Sequence, residues 1–161
     1  MRRKRNFFGV EWVMFRGSTQ LSMVAKGRLT VPAKHRDALT SGGAGEVVLT
    51  AHPHRCLILY PKEAWTPIEA KLTSLSSFNP QISAIQRMIV GQADVLSLDG
   101  AGRLLVSAVL RKFAKLDKEV MLVGQGSHFE LWDVMAWDQQ LEKLMGTEQL
   151  VVPQELEGFS L

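Results

Sequence analysis

One cysteine, Cys56, is the only thiol in this 161-residue chain. A lone cysteine makes no internal disulfide, so a reducing compartment, the cytoplasm, is the simple expectation. No apolar run approaches the roughly 20 residues that a membrane-spanning helix needs, so no membrane partner is expected. The basic start Arg2-Arg3-Lys4-Arg5 is not followed by a secretory pattern, because residues 6–15 are interrupted by Gly9, Glu11 and Trp12. No Ser/His/Asp or Cys/His set can be assigned, which leaves catalysis without positive support and implies no cofactor. Gly42-Gly43-Ala44-Gly45 and Gly124-Gln125-Gly126 lack the Gly-Lys-Ser/Thr ending of a phosphate loop and read as turns. His52, His54 and Cys56 alternate and could face one way on a strand, which invites a metal. Pro53 and Arg55 intervene and no fourth ligand is evident, so the expectation is a turn with one buried thiol and no metal.

Net charge is nearly absent from the body of the chain. The formal +3 comes from the first residues, and beyond residue 13 basic and acidic side chains balance at 15 each. The balance is local, not uniform. Residues 14–40 hold five basic side chains (Arg16, Lys26, Arg28, Lys34, Arg36) against Asp37, and residues 99–118 hold five against two. Residues 138–161 hold five acidic side chains against Lys143. Two basic patches and an acidic tail fit an anion-binding face better than general stickiness does.

The basic patches coincide with a repeat. Ala25-Lys26-Gly27-Arg28-Leu29-Thr30-Val31-Pro32 is echoed by Ala101-Gly102-Arg103-Leu104-Leu105-Val106-Ser107. Gly27 and Gly102, Arg28 and Arg103, Val31 and Val106, and Arg36 and Arg111 all stand 75 apart. Matches at one offset indicate a duplicated unit. Each copy reads as strand, Gly-Arg turn, strand, short helix. The glycine permits the positive φ of a tight turn, and Pro32 suits the start of a helix, where its missing N–H is not needed. An arginine at a protruding turn is placed to reach phosphates or base edges.

In chain order, residues 1–13 read as a disordered extension, or as preceding a true start at Met14. Residues 21–31 read as a hairpin about Lys26-Gly27, and 32–39 as a short helix. Residues 46–50 and 56–60 read as strands about a turn at His52-Pro53-His54-Arg55. Residues 61–75 form a helix carrying Trp65, Ile68 and Leu72 at helical spacing, and a second helix begins at Asn79-Pro80 and runs to about Val90. The second copy repeats the order: strand 93–98, turn 99–102, strand 104–106, helix 108–115, strands 119–123 and 128–132, helix 134–145. Trp65 and Trp137 occupy corresponding places in the two long helices. The acidic tail from Gly146 reads as loose. Strands this short rarely stand alone, so the two units should interleave into one pseudo-symmetric barrel with the longer helices packed outside. The fold class is α+β, mainly β. Residues 14–78 would form the first unit and 79–145 the second.

From Met14 to about Leu144 the chain resembles the MraZ family of bacterial transcription regulators. The resemblance is carried by Met14-Phe15-Arg16-Gly17, Ala25-Lys26-Gly27-Arg28-Leu29-Thr30-Val31-Pro32, His52-Pro53-His54-Arg55-Cys56-Leu57, Gly102-Arg103-Leu104, Leu116-Asp117-Lys118-Glu119-Val120 and Val123-Gly124-Gln125-Gly126. It implies a tandem pair of AbrB-like swapped-hairpin units in a ring-shaped homo-oligomer. It also implies binding to short direct repeats in double-stranded promoter DNA upstream of the division and cell-wall gene cluster, its own gene included. The place of work would be the nucleoid, with no catalysis. The family's contact motif, Asp, three residues, then Arg, is intact as Asp99 and Arg103. In the first copy Arg28 matches but Val24 holds the Asp position. Ala101 stands opposite Lys26, and Ser107 opposite Pro32.

Arg28 and Arg103 are therefore the leading candidates for DNA contact, through guanine O6 and N7 or through phosphate. Lys26 would add a phosphate contact, Asp99 would orient Arg103, and Gly27 and Gly102 would shape the turns. Lys34, Arg36 and Arg111 are further candidates, although Arg36 and Arg111 could instead close salt bridges. An alternative function from another class is an antitoxin-like protein-interaction module with secondary DNA binding, in which the acidic tail engages a basic partner.

Overall fold

Two strands of this chain are buried along almost their whole length, and such strands need cover on both faces. The computed structural model describes residues 3–5, 11–41, 45–146 and 153–160. In chain order, β1 (Arg3–Arg5) pairs antiparallel with β2 (Glu11–Val13). Then come β3 (Ser18–Ser22), β4 (Arg28–Thr30), α1 (Ala33–Thr40), β5 (Glu46–Ala51), β6 (Leu57–Pro61), α2 (Lys62–Ser74) and α3 (Pro80–Ile89). The second half supplies β7 (Asp94–Ser97), β8 (Arg103–Leu105), α4 (Ala108–Phe113), β9 (Glu119–Gly124), β10 (Phe129–Asp133) and α5 (Val134–Met145). The doubly covered strands are β5 and β6.

The main sheet has the order β3-β9-β10-β6-β5-β7, and β4 and β8 form a separate two-stranded ribbon. Exchanging the two repeats turns this order into its own reverse. A pseudo-two-fold axis therefore passes between β10 and β6, and through the ribbon where Leu29 faces Leu104. The expected hairpin over 21–31 does not pair with itself. β3 runs along β9 and β4 along β8, leaving a single bridge from Val24 to Arg28. The reason is burial: cross-pairing puts Leu29 and Leu104 opposite each other in the core, 1% and 2% exposed, which a self-paired turn could not do for both copies. No ladder joins the edge strands β3 and β7, so among the described residues the sheet is open and the expected barrel is not closed by hydrogen bonds.

Alternation sorts the side chains into layers. Val47, Leu49, Leu57 and Leu59, with Val120, Leu122, Phe129 and Leu131, face the core shared with the ribbon, α1 and α4. On the opposite face Val48, Ile58 and Tyr60 meet Trp65 of α2, and Val123 and Trp132 meet Trp137 of α5. The longer helices thus lie outside the sheet, as expected. The helix starts follow their caps. Pro32 and Pro61 stand just before α1 and α2, while Asn79, Ser107 and Asp133 cap α3, α4 and α5 with side-chain oxygens. Of the acidic tail, the described part contains a 3-10 turn at Gln154–Leu156. No described helix is long and apolar enough to cross a membrane.

Candidate nucleic-acid interface

The ribbon faces solvent with one side only. Leu29 and Leu104 point inward, so period-two alternation sends Arg28, Thr30, Arg103 and Leu105 outward. In register, Arg28 stands opposite Leu105, and Thr30 opposite Arg103. The two arginines are thus diagonal neighbours on one face, a separation of roughly 7–8 Å for such pairs. A two-stranded ribbon is one of the two shapes that enter a B-DNA major groove.

The turns before the arginines differ. In the second copy Asp99 organises everything. Its Oδ1 accepts N–H groups from Ala101 and Arg103, each at 2.9 Å, and its Oδ2 holds Arg103 Nε at 2.8 Å. These bonds, led by the Arg103 backbone N–H, hold the Asp99 carboxyl below its ordinary value. Arg103 is thereby steadied through its Nε. In the first copy Val24 offers no such acceptor, and Arg28 has no side-chain partner among the described residues. The first turn instead uses two successive positive-φ residues, Lys26 at 67° and Gly27 at 85°. A lysine in that region is unusual and strained. Its side chain is exposed at the tip. In the second turn only Gly102, at 75°, is left-handed.

Arg36 and Arg111 lie behind the turns, not on the ribbon face. Both are half-buried, and neither forms a salt bridge among the described residues. Arg36 Nε donates to the Val31 carbonyl at 2.8 Å, and Arg111 Nε to the Val106 carbonyl at 3.1 Å. Each guanidinium sits against the turn glycine of the other repeat, Arg36 against Gly102 and Arg111 against Gly27. The strands are cross-tied in the same sense: Val31 N–H reaches Gly102 O at 2.9 Å, and Val106 N–H reaches Gly27 O at 2.8 Å. Lys34 is exposed on α1.

The His52-Pro53-His54-Arg55 turn forms as expected, closed by Arg55 N–H to His52 O at 3.0 Å, and the thiol of Cys56 is buried. The sequence reading missed Glu130 of β10. Its Oε2 lies 3.9 Å from Cys56 Sγ, and the candidate ligand atoms of His52, Cys56 and Glu130 fall within 4.8 Å of one another. Burial and the neighbouring carboxylate push the thiol far above its usual range. Glu130 Oε1 accepts from Trp132 Nε1 at 3.2 Å, and His52 Nδ1 accepts the His54 N–H at 3.1 Å. Metal-bound histidines donate from the second ring nitrogen, whereas this one accepts, so His52 could ligate only by giving up that bond.

Two residues of the ribbon face, Thr30 and Leu105, also escaped the sequence reading. The signal was present: they too stand 75 apart. What hid them is that their shared face is defined by pairing between the repeats, not within either.

Comparison with known proteins agrees with the duplicated architecture. Residues 14–88 and 89–151 each match the family model described as "MraZ protein, putative antitoxin-like". A transcriptional regulator MraZ from Methylobacillus flagellatus is 64% identical over 148 residues, covering 92% of this chain and all of that protein. Relatives of the same name from Nitrosomonas eutropha and Nitrosomonas europaea are each 53% identical over the same lengths.

Proposed function

The chain belongs to the MraZ family of transcriptional regulators, which are not enzymes, and from that premise we propose that it binds double-stranded promoter DNA sequence-specifically through the β4–β8 ribbon. The observation that carries this reading is the diagonal pair Arg28 and Arg103 on the one outward face of the ribbon. Arg103, steadied by Asp99, takes a guanine edge; Arg28 takes the equivalent edge or a phosphate. Lys26 at the first tip contacts phosphate. Gly27 and Gly102 shape the turns, and Arg36 and Arg111 hold them from behind. Lys34 adds to the local positive field.

A single ribbon offers few contacts, and the body of the chain is close to neutral. Useful affinity then comes from several copies meeting several DNA repeats, as the effective concentration of each later contact rises. A ring-shaped homo-oligomer on short direct repeats, upstream of its own gene and of the division and cell-wall cluster, meets that need. The outward side chains Ile85, Met135, Leu141 and Met145 on α3 and α5 are apolar and exposed, surface that a second copy would cover.

The test is binding of the purified protein to the DNA upstream of its own gene, against scrambled DNA of equal length, at two salt concentrations. Strong preference for the upstream DNA, steep loss with salt and abolition by Arg103→Ala support the reading. Weak, unselective binding at both salts would transfer support to the second reading, an antitoxin-like interaction module. The acidic residues after Gly146 favour that second reading.

A further inference from the structure

The ribbon is pseudo-symmetric in its arginines but not in the residues between them. The two-fold relation exchanges Arg28 with Arg103, and Thr30 with Leu105. One half of the outward face therefore presents a hydroxyl with one methyl, and the other presents a purely aliphatic side chain. Leu105 is 51% exposed on a strand whose inward residue is only 2% exposed. An exposed leucine alone means little. This one is the directly paired cross-strand neighbour of Arg28, with Cβ atoms roughly 5 Å apart for such pairs. Side chains rooted that near to each other can reach neighbouring base pairs, which follow one another at about 3.4 Å along a strand. In the major groove the only apolar feature a base offers is the C5-methyl of thymine.

We infer that Leu105 is a specificity residue: it takes the C5-methyl of a thymine next to the base or phosphate held by Arg28, and its mismatch with Thr30 gives the ribbon a direction on DNA. The inference rests on the DNA-reading function proposed above. A fully two-fold ribbon would favour a palindromic site, because operator symmetry mirrors protein symmetry. Leu105 opposite Arg28, with Thr30 opposite Arg103, breaks that symmetry at the reading face itself. Val24 in the place of Asp99 breaks it again one turn away.

The experiment uses the full chain and the DNA upstream of its own gene, with each thymine replaced in turn by deoxyuridine. This removes the methyl and leaves the pairing edge intact. One thymine per repeat should respond, with affinity falling about threefold to fivefold, the worth of one buried methyl. Leu105→Ala should bind the thymine and uracil duplexes equally at that position. Thr30→Ala should leave the thymine preference in place.

Three results overturn the inference while leaving the proposed function standing, provided that Arg103→Ala still abolishes operator preference. The first is that no single thymine matters. The second is that Leu105→Ala keeps the full thymine preference. The third is that Leu105→Ala changes the size of the oligomer and not its base preference, which would make Leu105 a subunit contact. If the unaltered protein does not prefer upstream DNA at all, the proposed function fails and this inference with it.

Discussion

Arg36 and Gly102 share one space: the guanidinium of Arg36 fills the volume in which a side chain on Gly102 would stand. The residues come from different repeats, and the symmetric pair, Arg111 and Gly27, repeats the arrangement with a Cβ on Gly27 standing 2.8 Å from Arg111 Nε. The turn of each repeat is thus seated on the helix of the other. Each turn is thus backed by a side chain of the other repeat.

Substituting the turn glycines should therefore destabilise the fold, but in two different ways. The atoms nearest a Cβ on Gly102 all belong to the flexible Arg36 side chain, whereas the nearest to a Cβ on Gly27 is the Val106 carbonyl. Each should cost about 1–3 kcal/mol, including the strain of a positive φ. Adding Arg36→Ala should restore part of the loss in Gly102→Ala. Adding Arg111→Ala should restore much less in Gly27→Ala, because backbone cannot move aside. Denaturant unfolding of these four variants beside Arg36→Ala and Arg111→Ala measures both couplings; equal rescue in the two pairs would refute the distinction.

Arg103→Ala should weaken operator binding more than Arg28→Ala. Arg103 is held in place by Asp99, and among the described residues Arg28 has no comparable anchor. Loss of one bidentate base contact costs about 1–3 kcal/mol, and the multivalent assembly multiplies it. Asp99→Asn should fall between the two by freeing Arg103 Nε. Side-by-side binding titrations give the order, and equal losses for the two arginines would reject it.

Lys26→Gly separates two roles of one residue. The backbone at 67° suits glycine, so stability should hold or rise slightly. The slope of log affinity against log salt should shrink by about one unit per lost phosphate contact in each engaged subunit. An unchanged slope would remove Lys26 from the interface.

Acid should weaken the fold through its buried histidines. His35 is 7% exposed, lies edge-on to Phe129 with ring centroids 4.9 Å apart, and has a buried Nδ1 with no hydrogen-bond partner among the described residues. Burial, reinforced by Lys34, lowers its pKa below 6.5, and burial also lowers those of His52 and His128. The unfolded chain then binds protons that the folded chain refuses. This stability is fully present above pH 6.5 and is lost as the pH falls from there toward the folded values. His35→Phe should flatten part of that slope in unfolding curves between pH 8 and 5. A slope identical to that of the unaltered protein would show that His35 is not among the groups responsible.

Cys56 should be inert in the folded protein. It is fully buried and its thiol pKa is raised by burial and by Glu130, so little thiolate exists at neutral pH. Alkylation should be slow until denaturant is added, then fast. Rapid labelling of the folded chain would overturn this.

The duplication, the Gly-Arg turns, most element positions and the outward placement of the long helices were legible in the sequence. Each is a local matter of turn chemistry, caps and periodicity, acting over a few neighbouring residues. That the two repeats interleave was expected, but which strand lies beside which was not legible. A hairpin about Lys26-Gly27 and a cross-repeat ribbon need the same alternation, and only the burial of Leu29 against Leu104 chooses between them. The same holds for Arg36 and Arg111, whose spacing marked them as repeated but not as props beneath the opposite turn. Glu130 lies 74 residues from Cys56, and nothing in either local pattern connects them. What each repeat contains follows from its local residue pattern. The tertiary structure decided which face those residues share, because that face exists only where the two repeats bury their inner leucines against each other.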